Sequence, residues 1–508
     1  MDRKWWTLVA VCTATFMLLL DITIVNVALP SIERDLGADL ADLQWVVDAY
    51  ALTLAALLLT AGSLADRVGR RRVFLIGLVG FTLASVLCGL ATSPLTLNLA
   101  RALQGIGGAF MFATSLALLA SAYQGRDRGT AFGVWGAVTG ASVAVGPLVG
   151  GVLTDGIGWE AIFFVNVPVG IAAIALALKT VEESHAPSGA RIDWPGLVTF
   201  SGGLFGLIFG LIRGNTEGWG STLIIVCLGA AVVLGIAFVL IEMRSDHAML
   251  DLSLFRKPAF VGASVAAFVL SASMFSMFLY LTLYIQNILG YTPLESGLRF
   301  LPVTLLSFFV APVAGKLAER VGIRWFLGAG LLCVGAGELL MRGLSVGDEW
   351  TALLAGFMLA GIGIGLVNPP LATAAVGVVE PQRAGMASGI NSTFRQVGIA
   401  TGIAALGAIF QHVVAQNLIE GAQGRLPRGV TGSQAADFVS FGGFRQVHSA
   451  ALNRLAEQSF IDGLNQILLI AAIVAIVGAV LATLLTRPGD FVAHGAPEPA
   501  SESQPVAA

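Results

Sequence analysis

The sequence predicts an all-α membrane protein that crosses the bilayer about fourteen times. Its 508 residues are 56% hydrophobic and only 12% charged, and the mean hydropathy is +0.84. In soluble proteins about a quarter of the residues are charged. Apolar runs recur along the chain with about the 20 residues that a helix needs to cross the hydrocarbon core. One charged motif occurs twice, which indicates a chain built from two related halves.

The predicted spans are separated by charged or turn-rich gaps. The first apolar run, from Trp5 to Ala28, is too long for a cleavable signal and is interpreted as the first span. The spans are predicted at residues 6–29, 44–65, 73–91, 97–122, 131–154, 160–179, 194–212, 220–242, 259–284, 297–315, 325–341, 351–378, 385–414 and 463–486. Their even number places both termini on one side of the membrane.

The positive charges predict which side that is. Of the 28 Lys and Arg residues, 18 fall on the side of the termini and 7 on the other side. Loops rich in Lys and Arg stay in the cytoplasm, so both termini are predicted to be cytoplasmic. The remaining three cations, Arg101, Arg299 and Arg395, fall within or at the edge of spans.

Two segments are predicted to lie outside the membrane. Residues 415–462 mix Gly, Arg and Ser with short amphipathic stretches, which is typical of an external loop before the last span. Residues 488–508 are polar and rich in Pro and Ala, so a disordered cytoplasmic tail is expected there.

The repeated motif organises the remaining chain. Gly62-Ser-Leu-Ala-Asp-Arg-Val-Gly-Arg-Arg71 recurs as Gly315-Lys-Leu-Ala-Glu-Arg-Val-Gly-Ile-Arg324, each after the second span of its half. Further on, Gly105-Ile-Gly107 has a counterpart in Gly361-Ile-Gly363. We therefore expect a six-span bundle over 1–180, a two-span insertion with linkers over 181–258 and a second six-span bundle over 259–487. Duplicated halves around a midplane cavity are common in secondary transporters.

The sequence lacks the signals of several other classes of protein. The net charge is −3 and the cations form no basic stripe, so nucleic acid is not an expected partner. The four cysteines stand singly in apolar runs, and the five histidines are scattered. Neither a nucleotide-binding loop, a metal-ligand run nor a nucleophile elbow is present, so we expect no cofactor, no metal and no enzyme activity.

Ionisable side chains within spans are the first candidates for function. Asp21 interrupts the first span, where an ionised carboxylate is costly unless it is paired or hydrated; this favours a site that binds and releases protons. Arg101, in the fourth span, is its natural partner. Asp48 lies nearer the outer end of the second span and is a second candidate. The alternatives are a static anchor beside Asn26 for Asp21 and a wetted interfacial position for Asp48.

Two glycine-containing motifs are candidates for conformational roles. The loop after the second span offers a latch, in which Asp66 pairs with Arg70 and also faces a helix N-terminus. Its members are Gly62, Asp66, Arg67, Gly69, Arg70 and Arg71; the alternative is that the cations only set topology. The fifth span carries a second motif, which permits close helix contact and bending or else serves packing alone: Gly140, Gly146, Pro147, Gly150 and Gly151.

Further polar residues within spans are candidates for lining a cavity. They are Asn26, Gln104, Glu338, Asn391 and Arg395. For Glu338, a pair with Arg342 one turn away is favoured over cation binding.

Five segments together resemble the fourteen-span drug/proton antiporter branch of the major facilitator superfamily. They follow one another in the expected order: Leu20–Pro30, Gly62–Arg71, Leu99–Gly107, Gly140–Gly151 and Trp159–Pro168. The resemblance covers the whole chain except the tail, and Asn391 to Gly398 is similar to the branch's thirteenth-span pattern. It implies the major facilitator fold, with two six-helix bundles plus two additional central transmembrane helices.

The resemblance also implies a function. The expected activity is proton-coupled export of drugs, antibiotics or other amphipathic small molecules across the inner, cytoplasmic membrane, by a monomer. The fifth-span motif is associated with export in that family. Some cation exporters of the branch carry an acid in the tenth span, whereas Leu305–Phe309 has none; this argues against dicationic substrates. The alternatives are a proton symporter or facilitator for one metabolite, and a membrane-embedded enzyme or sensor.

Overall fold

The computed structural model describes residues 2–123, 125–184, 193–245, 248, 250, 252–378, 384–422, 434, 436, 438–439, 450–487 and 489. All regular structure in these ranges is helical. The main helices are α1 (Arg3–Leu36), α2 (Leu40–Val68), α3 (Arg70–Gly89), α4 (Pro94–Ala122), α5 (Gly125–Gly156), α6 (Ala161–Thr180), α7 (Trp194–Glu217), α8 (Thr222–Glu242), α9 (Pro258–Ile288), α10 (Pro293–Arg299 and Leu301–Val321), α11 (Ile323–Met341), α12 (Leu354–Gly377), α13 (Ala384–Ala422) and α14 (Ala450–Leu485).

These helices have the lengths that membrane spans require. Within the described residues, thirteen of them are long and apolar enough to cross a membrane, and the remaining helix, α5, is 32 residues long. The predicted all-α fold with fourteen spans is therefore confirmed. Each helix falls on one predicted span, and α1 extends beyond its predicted end through three charged residues, Glu33 to Asp35.

Local chemistry explains several helix ends. The Asp39 side chain accepts a hydrogen bond from the Asp42 backbone N–H at 2.7 Å, and this capping box starts α2. Gly37 ends α1 with φ 63°. Gly69 and Gly322 occupy equivalent turns of the repeated motif, with φ 120° and 108°. Residues other than glycine rarely adopt these φ angles, so the repeated motif preserves the backbone geometry of the turn.

The predicted external loop at 415–462 is wrong at both of its ends. Helix α13 continues to Ala422 and α14 begins at Ala450. Ala415, Gln416, Leu418 and Glu420 in this extension are good helix formers, so polarity alone does not end the helix. The predicted tail, 488–508, lies outside the described residues except for Gly489.

The two related halves repeat the same close helix contacts. A Cβ atom on Gly105 would overlap α2 at Thr53 and Tyr50, and one on Gly107 would lie 2.5 Å from the Phe81 backbone N in α3. Their counterparts, Gly361 and Gly363, would meet α10 at Val303 and α11 at Gly330 in the same way. In each half the fourth helix therefore packs closely, through glycines, against the second and third.

The halves contact each other away from the face that carries the termini. We call the face with Arg3 and Leu485 the terminal face, and the other the opposite face. Near the opposite face, Gln44 Nε2 of α2 donates to the hydroxyl of Tyr280 in α9 at 3.1 Å. Gln286 Nε2 of α9 donates to the Val27 carbonyl in α1 at 2.8 Å. These bonds close the space between the halves at that end.

Helices α7 and α8 form the predicted additional pair. Helix α7 contacts both halves: Trp45 of α2 and Phe205 have ring centroids 5.9 Å apart, and Asn215 donates to the Ala408 carbonyl in α13 at 2.6 Å. Helix α8 is exposed along most of its length, as a lipid-facing helix would be. The domain boundaries near 180 and 258 stay a prediction.

Gly107→Ala is expected to destabilise the fold, because its new methyl group would meet backbone atoms that cannot move independently. Overpacking of this kind costs about 1–3 kcal/mol. The measurement is the thermal midpoint of the purified protein in detergent. Gly229→Ala in α8 is the matched control, since a Cβ there meets nothing within 4 Å. Equal midpoints for the two variants would contradict the packing argument.

Candidate functional site

Asp21 lies at the middle of α1 with only 1% of its surface exposed. Three side chains donate hydrogen bonds to its carboxylate. Arg101 Nη1 donates to Oδ2, while Gln104 Nε2 and Asn166 Nδ2 donate to Oδ1 at 2.8 and 2.9 Å. Gln104 also donates to Ser85 Oγ at 2.9 Å. These three hydrogen bonds offset part of the cost of burying the carboxylate.

The Arg101 guanidinium is held by α2 as well as by Asp21. Its Nε donates to the Val46 carbonyl at 2.9 Å, and its Cζ lies 4.4 Å from the centre of the Tyr50 ring. This approach depends on Gly105, which brings α4 against the backbone of α2 one turn further along. The arginine is fully buried, so the site is a desolvated ion pair with a stacked ring.

This pair lies inside the first six helices. The described hydrogen-bond network around it comes from α1, α2, α3, α4 and α6, with Ser85 of α3 bound through Gln104, and no member comes from the second half. In this conformation Asp21 therefore lies within the first half and not between the two bundles. Helix α1 turns that carboxylate toward its own half, because the three donors on α4 and α6 are there.

Asp48 lies elsewhere, near the contact between the halves. It is fully buried, and neither of its carboxyl oxygens has a hydrogen-bond partner in the described part of the chain. One turn before it on α2, Gln44 binds Tyr280 across the contact between the halves. The alternative reading of Asp48, a wetted interfacial position, is thus not found. An ionised carboxylate would have no compensation in this environment, which tolerates the neutral acid.

The glycines of α5 connect the Asp21 helix with the second half. Cβ atoms on Gly146 and Gly150 would meet α1 at Thr23 and Ile24. The same stretch of α5 also packs against α10, because a Cβ on Gly151 would lie 2.7 Å from the Pro293 carbonyl oxygen. Pro147 also lies in this stretch, and its carbonyl approaches Gly297 of α10. Gly140 lies in the same helix. Helix α5 thus contacts α1 and α10 at one level.

Comparison with known proteins decides the family. The model of the Major Facilitator Superfamily matches residues 11–403. The chain belongs to this superfamily. It is 35% identical over 512 residues to the tetracenomycin C resistance and export protein of Streptomyces glaucescens, covering 98% of this chain and 95% of that protein. It is 37% identical over 477 residues to the multidrug resistance protein Stp of Mycobacterium tuberculosis, covering 92% and 89%.

Solved structures support the same fold. An inward-facing, occupied bacterial homologue of the human lysosomal transporter Spinster aligns with 97% of this chain and 100% of its own, with TM-score 0.67 and 16% identity. The resemblance to the drug-exporting branch of the superfamily is confirmed by the relatives named above. The superfamily consists of transporters, which sets this chain apart from membrane enzymes.

The superfamily's loop motif is held by an acid that the sequence analysis missed. Glu183, just after α6, accepts a hydrogen bond from the Arg71 backbone N–H at 3.0 Å and lies 3.8 Å from Arg72 Nε. A Cβ on Gly69 would lie 2.7 Å from this carboxylate. The Arg70 backbone N–H donates to the Ser184 carbonyl at 3.0 Å. An anion at the N-terminus of α3 is favoured by the helix dipole.

The other members of that motif have fewer described contacts. Arg67 is exposed, and a Cβ on Gly62 would meet nothing within 4 Å. The side chain of Asp66 lies outside the described structure, so its predicted pairing with Arg70 stays a prediction.

Glu338 does not form the predicted pair with Arg342. It is fully buried in α11, and its two carboxyl oxygens lack hydrogen-bond partners among the described residues. Arg342 is exposed at the opposite face, where it lines a pocket of about 520 Å³ with Asp462 and Asn465. The two residues are four positions apart, the spacing on which the predicted pair was based. However, packing of α11 against α12 and α14 encloses only Glu338.

The remaining cavity candidates are separate from the Asp21 network. Asn26 lines a narrow cavity between the halves with Phe278 and Phe300. Asn391 is buried and donates to the Ala263 carbonyl in α9 at 3.2 Å. Arg395 is partly exposed within α13.

Sequence reasoning missed Asn166 and Ser85. Each is one neutral polar residue in an apolar run, and such residues are common in membrane helices. The signal for Asn166 was its place in the Trp159–Pro168 segment, which resembles the family's sixth-span motif. Within the described ranges, no three His, Cys, Asp or Glu side chains lie close enough together to hold a metal ion.

Arg101→Gln is expected to destabilise the protein, because it leaves the Asp21 carboxylate buried without its cation. Removal of one partner of a buried ion pair costs about 3–5 kcal/mol. The double variant Asp21→Asn with Arg101→Gln removes both charges and should lose less. The readout is the thermal midpoint in detergent, measured in parallel for the single and double variants. A double variant less stable than the single one would show that the pair does not behave as described.

Proposed function

We propose that this protein is a proton-coupled antiporter that exports drugs, antibiotics or other amphipathic small molecules across the inner, cytoplasmic membrane. The observation that carries the proposal is the Asp21–Arg101 pair, an ionisable carboxyl group buried at the middle of a membrane helix. Intramembrane acids of this kind serve proton relays in pumps and transporters. The printed names of its relatives, which include a puromycin resistance protein and a cephamycin export protein, support the class of substrate.

Coupling follows from what a proton does to the pair. Protonation of Asp21 removes the charge that attracts Arg101 and takes one acceptor from Gln104 or Asn166. Helix α1 then loses its strongest attachment to α4 and α6. Because α5 packs on α1 through Gly146 and on α10 beyond it, a shift of α1 reaches the second half.

Asp48 is the second proton-coupling residue of the proposal. Its position beside the Gln44–Tyr280 bond means that ionisation would place an uncompensated charge near the contact between the halves. Loss of its proton therefore favours separation of α2 from α9 and opening toward the opposite face. Proton binding at the same carboxyl group allows that end to close again.

The loop motif is the latch of the proposal, with Glu183 as its described anion. The charge asymmetry of the loops supports a cytoplasmic terminal face, with both termini cytoplasmic. The two six-helix bundles move relative to each other, with α7 and α8 between them in sequence. One copy of the chain contains both bundles, so a monomer is the working unit.

A proton symporter or facilitator for a specific metabolite is the alternative, because the same fold serves import. The close glycine and proline contacts of α5 and the names of the relatives favour export. The direction of substrate movement in vesicles of known orientation distinguishes the two.

Asp21→Asn is expected to abolish export driven by a pH gradient, because the amide cannot take up and release a proton. Exchange of labelled substrate without a gradient should persist, since it needs no net proton movement. The measurement uses inside-out membrane vesicles and a fluorescent drug. Asp21→Glu keeps an ionisable group and should retain part of the activity.

Asp35→Asn, an exposed acid at the end of the same helix, is the control and should transport normally. Monodisperse elution of each variant establishes that it is folded. Full gradient-driven export by Asp21→Asn would refute the assignment.

A further inference from the structure

Arg395 is a cation within a membrane span that has no counter-ion among the described residues. It lies in α13 and is partly exposed. In the described part of the chain its guanidinium makes no hydrogen bond, ion pair or ring contact. The next residue, Gln396, is buried, and its Oε1 also lacks a partner there. Two adjacent polar side chains thus have atoms without partners among the described residues at this level of the helix.

A cation at this level of a span needs a polar environment. An arginine is always charged, and charged side chains in spans face the bundle interior or a water-filled cavity. Arg395 lies twelve residues before Gly407, where α13 meets Gln44 of α2. At 1.5 Å per residue this is about 18 Å along the helix toward the terminal face. Arg395 therefore lies well on the terminal-face side of the contacts that close the opposite end.

The described acids Asp21, Asp48 and Glu338 leave this charge unbalanced. Asp21 and Arg101 neutralise each other. Asp48 and Glu338 are fully buried without partners in the described residues, and in this arrangement such sites favour the neutral acid. Helix α10 contributes no acid over residues 305–309. Arg395 is thus the one uncompensated charge that these groups leave.

We propose that Arg395 binds an anionic group of the exported molecule, so that the substrates include amphipathic organic acids. This inference rests on the proposed function, and it names a class of substrate for that export activity. A carboxylate accepts two parallel hydrogen bonds from a guanidinium. The apolar part of the substrate packs on nearby rings such as Phe394. The ring centroid of Phe394 lies 5.8 Å from that of Phe255. Substrate charge is thereby sensed in the second half, whereas protons bind in the first.

The test compares acids with their own amides, which differ in charge but little in shape. Three pairs of increasing size are used: benzoic acid, 1-naphthylacetic acid and 9-anthracenecarboxylic acid, each with its amide. Binding to the purified full-length transporter is measured by scintillation proximity with labelled compounds. Wild type is expected to bind at least one acid ten or more times more tightly than its amide.

Arg395→Gln should remove this preference by weakening acid binding at least tenfold, with amide binding changed less than threefold. Arg395→Lys keeps the charge but not the paired geometry, so it should retain part of the preference. Arg342→Gln removes an exposed cation from the opposite face and is the matched control, expected to bind like wild type.

Several results would overturn the proposal. It is wrong if no acid binds wild type more tightly than its amide, a comparison that does not depend on any variant folding. It is also wrong if Arg395→Gln weakens the acids and amides equally, which would indicate a role in shaping the cavity. Proton-driven export that persists in wild type and fails in Asp21→Asn would leave the proposed function standing in either case.

Discussion

An ion pair in a nonpolar medium constrains every helix that touches it. Neither Asp21 nor Arg101 can be charged alone in the bundle without a large desolvation cost, so α1 and α4 must meet at one register. The Val46 carbonyl and the Tyr50 ring extend that constraint to α2, and Asn166 extends it to α6. The first half is therefore organised around two charges, and its glycines provide the short interhelical distances that let those charges meet.

The same pair also has a path to the rest of the molecule. One face of helix α5 contacts the backbone of α1 just beyond Asp21. Another face of α5 contacts α10 of the second half. Where two backbones are in contact, side-chain rotation cannot absorb a movement of one helix. The neighbouring helix is therefore displaced as a rigid body. A proton at Asp21 and the contact between the halves are consequently linked through one helix, which also contains Pro147.

Protons and substrate occupy different halves in the mechanism proposed here. The ionisable pair belongs to the first six helices, whereas the uncompensated Arg395 lies on α13. Direct competition of both ligands for one carboxylate therefore does not explain exchange. Coupling instead has to pass through the contact between the halves, where Asp48 lies buried beside the Gln44–Tyr280 bond. Each ligand would change the relative stability of the same two arrangements of the bundles.

The sequence by itself determined the number and positions of the spans, because hydropathy is a local property that each segment carries without reference to its neighbours. It also determined the pairing of Asp21 with Arg101, since opposite charges in nearby spans of one half have few other ways to be satisfied. Only the tertiary structure decided what depends on which face of a helix is enclosed. It placed Asp21 inside its own bundle, buried Glu338 while leaving Arg342 outside, and brought Asn166, Ser85 and Glu183 to their partners. Neutral polar residues and helix orientations leave no distinctive pattern in the chain, because many packings satisfy the same hydropathy.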